Sequence, residues 1–181
     1  MGLLREAEGS SLWLLEGTPA AMRNLHAHAA RRGIAPERIV FAPHIALAQH
    51  LARYRHADLF LDTLPCNAHT TASDALWMGV PVLTVTGETF AGRVATSLLH
   101  AVGLPQQCMR SIADYAARAM RLASTPPELS ALKEHLERGR TAFPLFDTAR
   151  YCRQLEAAYQ KIWARHARGE RPSTLAVGNR P

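Results

Sequence analysis

Four short apolar runs, Leu12 to Leu15, Ile39 to Phe41, Leu59 to Leu61 and Val82 to Val85, recur along the chain at intervals of roughly 20 to 27 residues. None alternates with polar positions, and each is followed by a segment whose apolar residues recur at helical spacing. Strand then helix, repeated, with strands too apolar to have a wet face, predicts parallel strands covered on both sides. Right-handed crossovers then give an α/β fold with a Rossmann-like doubly wound parallel sheet.

The helices carry their own punctuation. Thr18-Pro19 offers an N-cap and a first-turn proline, and Gly33 follows Arg31-Arg32 at the far end, where basic side chains and a residue tolerant of left-handed backbone belong. A helix over about Leu47 to His56 aligns Leu47, Leu51 and Tyr54 as a core face and sets His50 and Arg53, three apart, on another. Helices over about Thr71 to Met78 and Gly92 to Val102 stop at Gly79 and Gly103, with Pro81 and Pro105 soon after. Trp13 and Trp77 lie within apolar segments and are expected in the core.

Beyond Ser111 the pattern becomes helical throughout: Ile112 to Ala123, Glu128 to Arg140 and Thr148 to Arg168. On the last of these, Tyr151, Leu155, Tyr159, Ile162 and Trp163 form an apolar stripe that needs a partner surface. The domain expectation is an N-terminal segment over 1–11, one domain with its helical extension over 12–168, and a polar, aperiodic, disordered tail over 169–181.

A chain of 181 residues, 48% hydrophobic and 20% charged, suits one soluble globular domain. Its formal charge of +6 favours phosphate-bearing partners without choosing among them. Cys66, Cys108 and Cys152 are odd in number and widely spaced, which suggests neither a disulfide framework nor a zinc site and fits a reducing cytoplasm. No run approaches the roughly 18 apolar residues of a membrane span. The arginines are scattered over several helices without an aromatic-and-basic motif, so nucleic acid is not the expected partner.

The chemistry concentrates in Cys66 to Val85, "CNAHTTASDALWMGVPVLTV". Ligands of open parallel sheets sit beyond the carboxyl ends of the strands, where loops enter helix N-termini. The loop after Leu61 is such a place, and its first-turn N–H groups with the Thr70 and Thr71 hydroxyls suit a diphosphate. Asp74, one turn deeper, would repel phosphate but can accept from ribose hydroxyls, and His69 can donate to a phosphate or to a sugar oxygen. Two alternatives stay open on the residues alone. Thr71-x-x-Asp74 is also a helix-capping pattern, and His50 with Arg53 is either a base-binding pair or a solvated face.

With "FAPHIALAQHLARYRHADLFLDT", "GVPVLTVTGETFAGRVATSLLHAVGLP" and "PLFDTARYCRQLEAAYQKIW" alongside that loop, the chain resembles the C-terminal half of the catalytic region of SPINDLY-type O-linked N-acetylglucosamine transferases, from about Leu12 to Trp163. The resemblance implies one lobe of a GT-B glycosyltransferase that binds a UDP-sugar, UDP-GlcNAc or a related UDP- or GDP-sugar, for transfer to Ser or Thr of a protein acceptor, with no metal or other cofactor. The absence of a D-x-D motif agrees with that. It places His69, Thr70 and Thr71 at the phosphates and Asp74 at the ribose. His50, Arg53 and the backbone around Ile45 and Ala46 fall at the uracil end, and Cys66 and Asn67 lie in the loop facing the donor sugar.

Leu47 departs from the pattern, because some members of the family carry a phosphate-binding lysine there. Losing one such contact costs about 2 kcal/mol, roughly thirtyfold in affinity. The family's catalytic acid-base candidates come from an N-terminal lobe, so no catalytic residue is assigned here and an N-terminal lobe or partner chain is an expected partner. The alternative to a transferase part is a nucleotide-sugar-binding module without turnover.

Overall fold

The computed structural model describes residues 1–177, and positions 178–181 of the expected tail lie outside the described residues. Its strands are all parallel: β1 Leu12–Leu15, β2 Ile39–Ala42, β3 Phe60–Leu61, β4 Val82–Val85 and β5 Cys108–Met109. The first four are the four apolar runs. The fifth has only two residues, too short to leave a periodic trace in the sequence.

The strands divide into two sheets, β1-β2 and β3-β4-β5, rather than one. Two-residue β3 directs the N–H of Phe60 to Pro81 O (2.8 Å) and the N–H of Asp62 to Leu83 O (3.0 Å), which leaves little backbone for a second neighbour. Flanked on both sides, β4 is buried at every position.

Eight α-helices are described: α1 Gly2–Glu6, α2 Pro19–Ala30, α3 Leu47–Arg53, α4 Thr70–Trp77, α5 Val94–Ala101, α6 Ile112–Ser124, α7 Pro126–Gly139 and α8 Thr148–Ala167. Helix α2 starts as its sequence says, with Thr18 Oγ1 accepting from Ala21 N at 3.2 Å. Helices α4 and α5 end in one device. Gly79 and Gly103 adopt φ of +82° and +73°, and the next residue's N–H reaches back to Ala75 O or Leu99 O at 2.8 Å. This is the Schellman arrangement, and the residue after each glycine, Val80 or Leu104, is buried at 2% exposure. The helix stop and the entry into the core are thus the same event.

Two buried clusters correspond to the two sheets. The larger gathers Ala72, Ala75, Leu76, Val82, Leu99, Leu122 and Leu136, from α4, β4, α5, α6 and α7. The smaller joins Leu4, Ala29, Ile34 and Ile39; α1 forms in the segment where no element was expected because Leu4 has this cluster to enter.

Two core expectations are corrected. Leu51 and Tyr54 do pack against the larger cluster, but Leu47 is 67% exposed, because it opens α3 and projects beyond the core. Trp77 is 38% exposed, its ring held edge-on by Phe146 and beneath Arg140 at the surface. The α8 stripe is exposed too, with Trp163 at 70%. After α8, residues 170–177 form no regular element, and the carbonyls of Arg171 and Ala176 accept from Arg165 and Lys161.

Candidate functional site

The loop between β3 and α4 is organised by one buried carboxylate. Asp62 Oδ1 accepts from Thr63 N (2.8 Å) and Ala68 N (2.6 Å), while Oδ2 accepts from the Thr84 hydroxyl (2.6 Å). Three donors offset the desolvation of a charge in the interior. The Asp62 carbonyl also accepts from the Tyr115 hydroxyl at 3.1 Å, and burial, then the Asp62 charge, pushes that phenol up. Thr63 Oγ1 donates to Cys66 O (2.9 Å), and Asn67 donates from Nδ2 to Thr63 O (3.3 Å) and from its N–H to Ala91 O (2.9 Å). Cys66 is exposed, whereas Asn67 is 4% exposed with its Oδ1 unpartnered.

This stapled loop delivers the chain into α4 with His69 as N-cap, at φ −102° and ψ −90°, and with no side-chain cap. The Thr71-x-x-Asp74 capping alternative is therefore not formed. His69, Thr70 and Thr71 are all exposed, and the first-turn N–H groups of Thr70 and Thr71 have no acceptor within the helix. Asp74 is half-buried and lies toward Tyr54, whose phenol is pushed up by burial and then by the Asp74 charge. Tyr54 in turn donates its hydroxyl to Thr71 O at 3.4 Å, tying α3 to α4.

The mouth of α3 follows β2. Ile45 and Ala46 are exposed there, Ala46 being an N-cap without a side-chain bond. Arg53 donates from Nη1 to Pro43 O (2.8 Å), lies over the Trp13 ring (5.2 Å) and contacts His50 Nδ1 from Nη2 at 2.7 Å. A guanidinium has no acceptor, so Nδ1 accepts and the neutral His50 ring carries its proton on Nε2. The His50 ring also stands edge-to-face with Tyr54, centroids 5.3 Å apart. His50 and Arg53 are thus a built pair rather than a loose solvated face.

The structure brings His50, Arg53, Thr71 and Asp74 together around Tyr54, with His69 and Thr70 on the same mouth and Cys66 and Asn67 in the loop leading to it. Chemically this is a cluster of main-chain and hydroxyl donors beside one carboxylate acceptor and a planar ring with one N–H. A shallow depression of about 410 Å³ lies elsewhere, along β5 and α6, lined by Cys108, Arg110, Asp114, Arg118 and Arg121 among others. Among the described residues, no group of three or more His, Cys, Asp or Glu has metal-binding geometry.

The profile of glycosyl transferase family 41 matches residues 1–155. The chain belongs to that family. It is similar to the probable UDP-N-acetylglucosamine–peptide N-acetylglucosaminyltransferase SEC of Arabidopsis thaliana, with 39% identity over 97% of this chain and 18% of that protein. The probable SPINDLY enzyme of Solanum lycopersicum is 37% identical over 78% of this chain and 15% of its own length. A solved structure, the K341M mutant of the Thermobaculum terrenum O-GlcNAc transferase, superposes with a TM-score of 0.84 at 33% identity, over 90% of this chain and 32% of that one. The chain therefore spans less than a fifth of the length of these curated relatives, and it shares its fold with part of the solved transferase.

Three residues of this candidate site are not singled out by the sequence. Asp62 and Thr84 are single polar residues at the edge of, or inside, apolar runs, and the β3-β4 register, Leu61 opposite Leu83, sets them side by side. Two isolated polar positions, one ending an apolar run and one inside the next, were the available signal. Phe90, in the loop after β4, left none.

Proposed function

We propose that this chain is the donor-binding lobe of a GT-B glycosyltransferase acting on a UDP-sugar, UDP-GlcNAc by preference, with Ser or Thr of a protein as acceptor. The observation that carries this is the open mouth of α4. An uncapped helix N-terminus with two exposed threonines offers a diphosphate several donors, and Asp74 stands one turn away for the ribose. His50, held as its Nε2–H tautomer by Arg53, offers the base a ring face and one donor. The similarity to peptide N-acetylglucosaminyltransferases supports the choice of nucleotide sugar. No catalytic acid or base is assigned within the chain; that role falls to an N-terminal lobe or a partner chain.

The test is calorimetry with UDP. Wild type binds, with affinity unchanged by EDTA because the phosphate contacts come from the protein. Thr71→Ala and Asp74→Ala each weaken binding about tenfold, near 1.4 kcal/mol. Absence of heat at millimolar UDP overturns the reading. The uncharged, exposed Leu47 at the α3 mouth favours a second reading, a nucleotide-sugar-binding module without turnover. Donor hydrolysis by the pure chain that is lost in Thr71→Ala would exclude that second reading.

A further inference from the structure

Phe90 is 79% exposed, more than any other large hydrophobic side chain among the described residues. It sits between β4 and α5, at the carboxyl end of the strand next to β3, where its ring meets His69 edge-to-face with centroids 6.2 Å apart and planes at 87°. The loop that carries it is tightly closed. Gly87 N donates to Gly92 O (2.8 Å), Arg93 N to Phe90 O (3.0 Å) and Gly92 N to Thr89 Oγ1 (3.1 Å). The bond from Asn67 N to Ala91 O staples this loop to the one before α4. A Cβ on Gly87 would fall 2.9 Å from Gly92 O, and one on Gly92 would fall 3.0 Å from Pro65 O. The two loops touch backbone to backbone, so the ring is held out from the surface by a fixed frame.

Position decides what that ring can meet. The α4 mouth meets Tyr54 at Thr71, with His50 against the Tyr54 ring, and meets Phe90 at His69. A nucleoside diphosphate with its base at α3 and its phosphates at α4 presents whatever the distal phosphate carries to the Phe90 side. We propose that Phe90 is the platform for the sugar ring of the donor, stacking on the C–H face of the hexose; this rests on the reading of the site as a nucleotide-sugar site. An aromatic face suits the apolar side of a pyranose, whose C–H groups meet the electron-rich ring. Having no polar atom, Phe90 contributes affinity for a hexose without reading its hydroxyl pattern.

The experiment titrates the full chain with UDP and with UDP-GlcNAc, in wild type, Phe90→Ala and Phe90→Trp. The expected result is that Phe90→Ala binds UDP within twofold of wild type but UDP-GlcNAc at least fivefold more weakly, and that Phe90→Trp restores the sugar-dependent part. An alanine variant that loses both ligands equally overturns the proposal, because the ring then serves the nucleotide or the loop; one that loses neither overturns it as well, because the ring then touches no donor. Failure of wild type to bind UDP at all sinks the reading of the site itself and is distinguishable from both.

Discussion

Asp62 shows how much of the candidate site depends on a residue whose carboxylate is wholly engaged by the protein's own donors. Its carboxylate closes the loop that aims His69, Thr70 and Thr71, and one of its three donors is the hydroxyl of Thr84, fully buried on the neighbouring strand. Valine has nearly the same shape as threonine but no hydroxyl, so Thr84→Val leaves a buried charge short of one partner. The expected cost is about 1–3 kcal/mol, seen as a lower urea midpoint, together with weaker UDP binding. Thr84→Ser keeps the hydroxyl and is expected to recover most of both. An unchanged midpoint in Thr84→Val would show that the hydroxyl is not what satisfies Asp62. The place of His69, Thr70, Thr71 and Asp74 at one helix mouth was legible because histidine, threonine and aspartate at a strand-to-helix junction have chemistry of their own. Asp62 and Thr84 were not, because their role exists only once β3 and β4 lie in register, and a register belongs to two segments at once.

Among the elements, α6 and α7 are joined through Glu128, which accepts from Arg118 and, at 2.8 Å, from Arg121. Arg118 also donates to the buried Gln107 ahead of β5 (3.1 Å), so the clamp reaches the edge of the sheet. The hydrogen bond from Arg118, then that from Arg121, holds the Glu128 carboxyl below its ordinary value of 4.5. A carboxyl lowered on folding contributes stability that is present above its unfolded value and disappears as pH falls through its folded one. Glu128→Gln is therefore expected to melt below wild type at pH 7, with the gap closing as pH drops beneath about 4.5. A gap independent of pH between 7 and 3 would assign the effect to shape rather than charge. Elements of this kind were legible where they carry local signals, as with the apolar runs and the glycines at 79 and 103. Helix α1 and β5 were not, since five and two residues leave no period. The division into two sheets was equally hidden, because an apolar run does not name its neighbour.

At the scale of the whole molecule, the exposed stripe of α8 is the feature least explained by the chain's own packing. The helix has no buried residue, yet Tyr151, Tyr159 and Trp163 are each more than 60% exposed along it. If the folded chain does not use that face, replacing it changes solubility rather than stability. The double variant Tyr159→Ser with Trp163→Ser is expected to keep its urea-unfolding free energy within about 0.5 kcal/mol of wild type, the range of ordinary surface substitutions. Leu136→Ala, at a fully buried position of α7, is expected to lose about 2–5 kcal/mol in the same melts. Light scattering then separates the two roles of apolar surface: the serine variant stays monomeric to higher concentration than wild type, because it removes an exposed patch of the kind that drives association. A loss of stability in the serine variant approaching that of Leu136→Ala would mean that α8 packs against the rest of the chain in solution. The apolar periodicity foretold which residues share that face. It was silent on whether the face is covered, since burial depends on what lies opposite the helix rather than on the spacing within it.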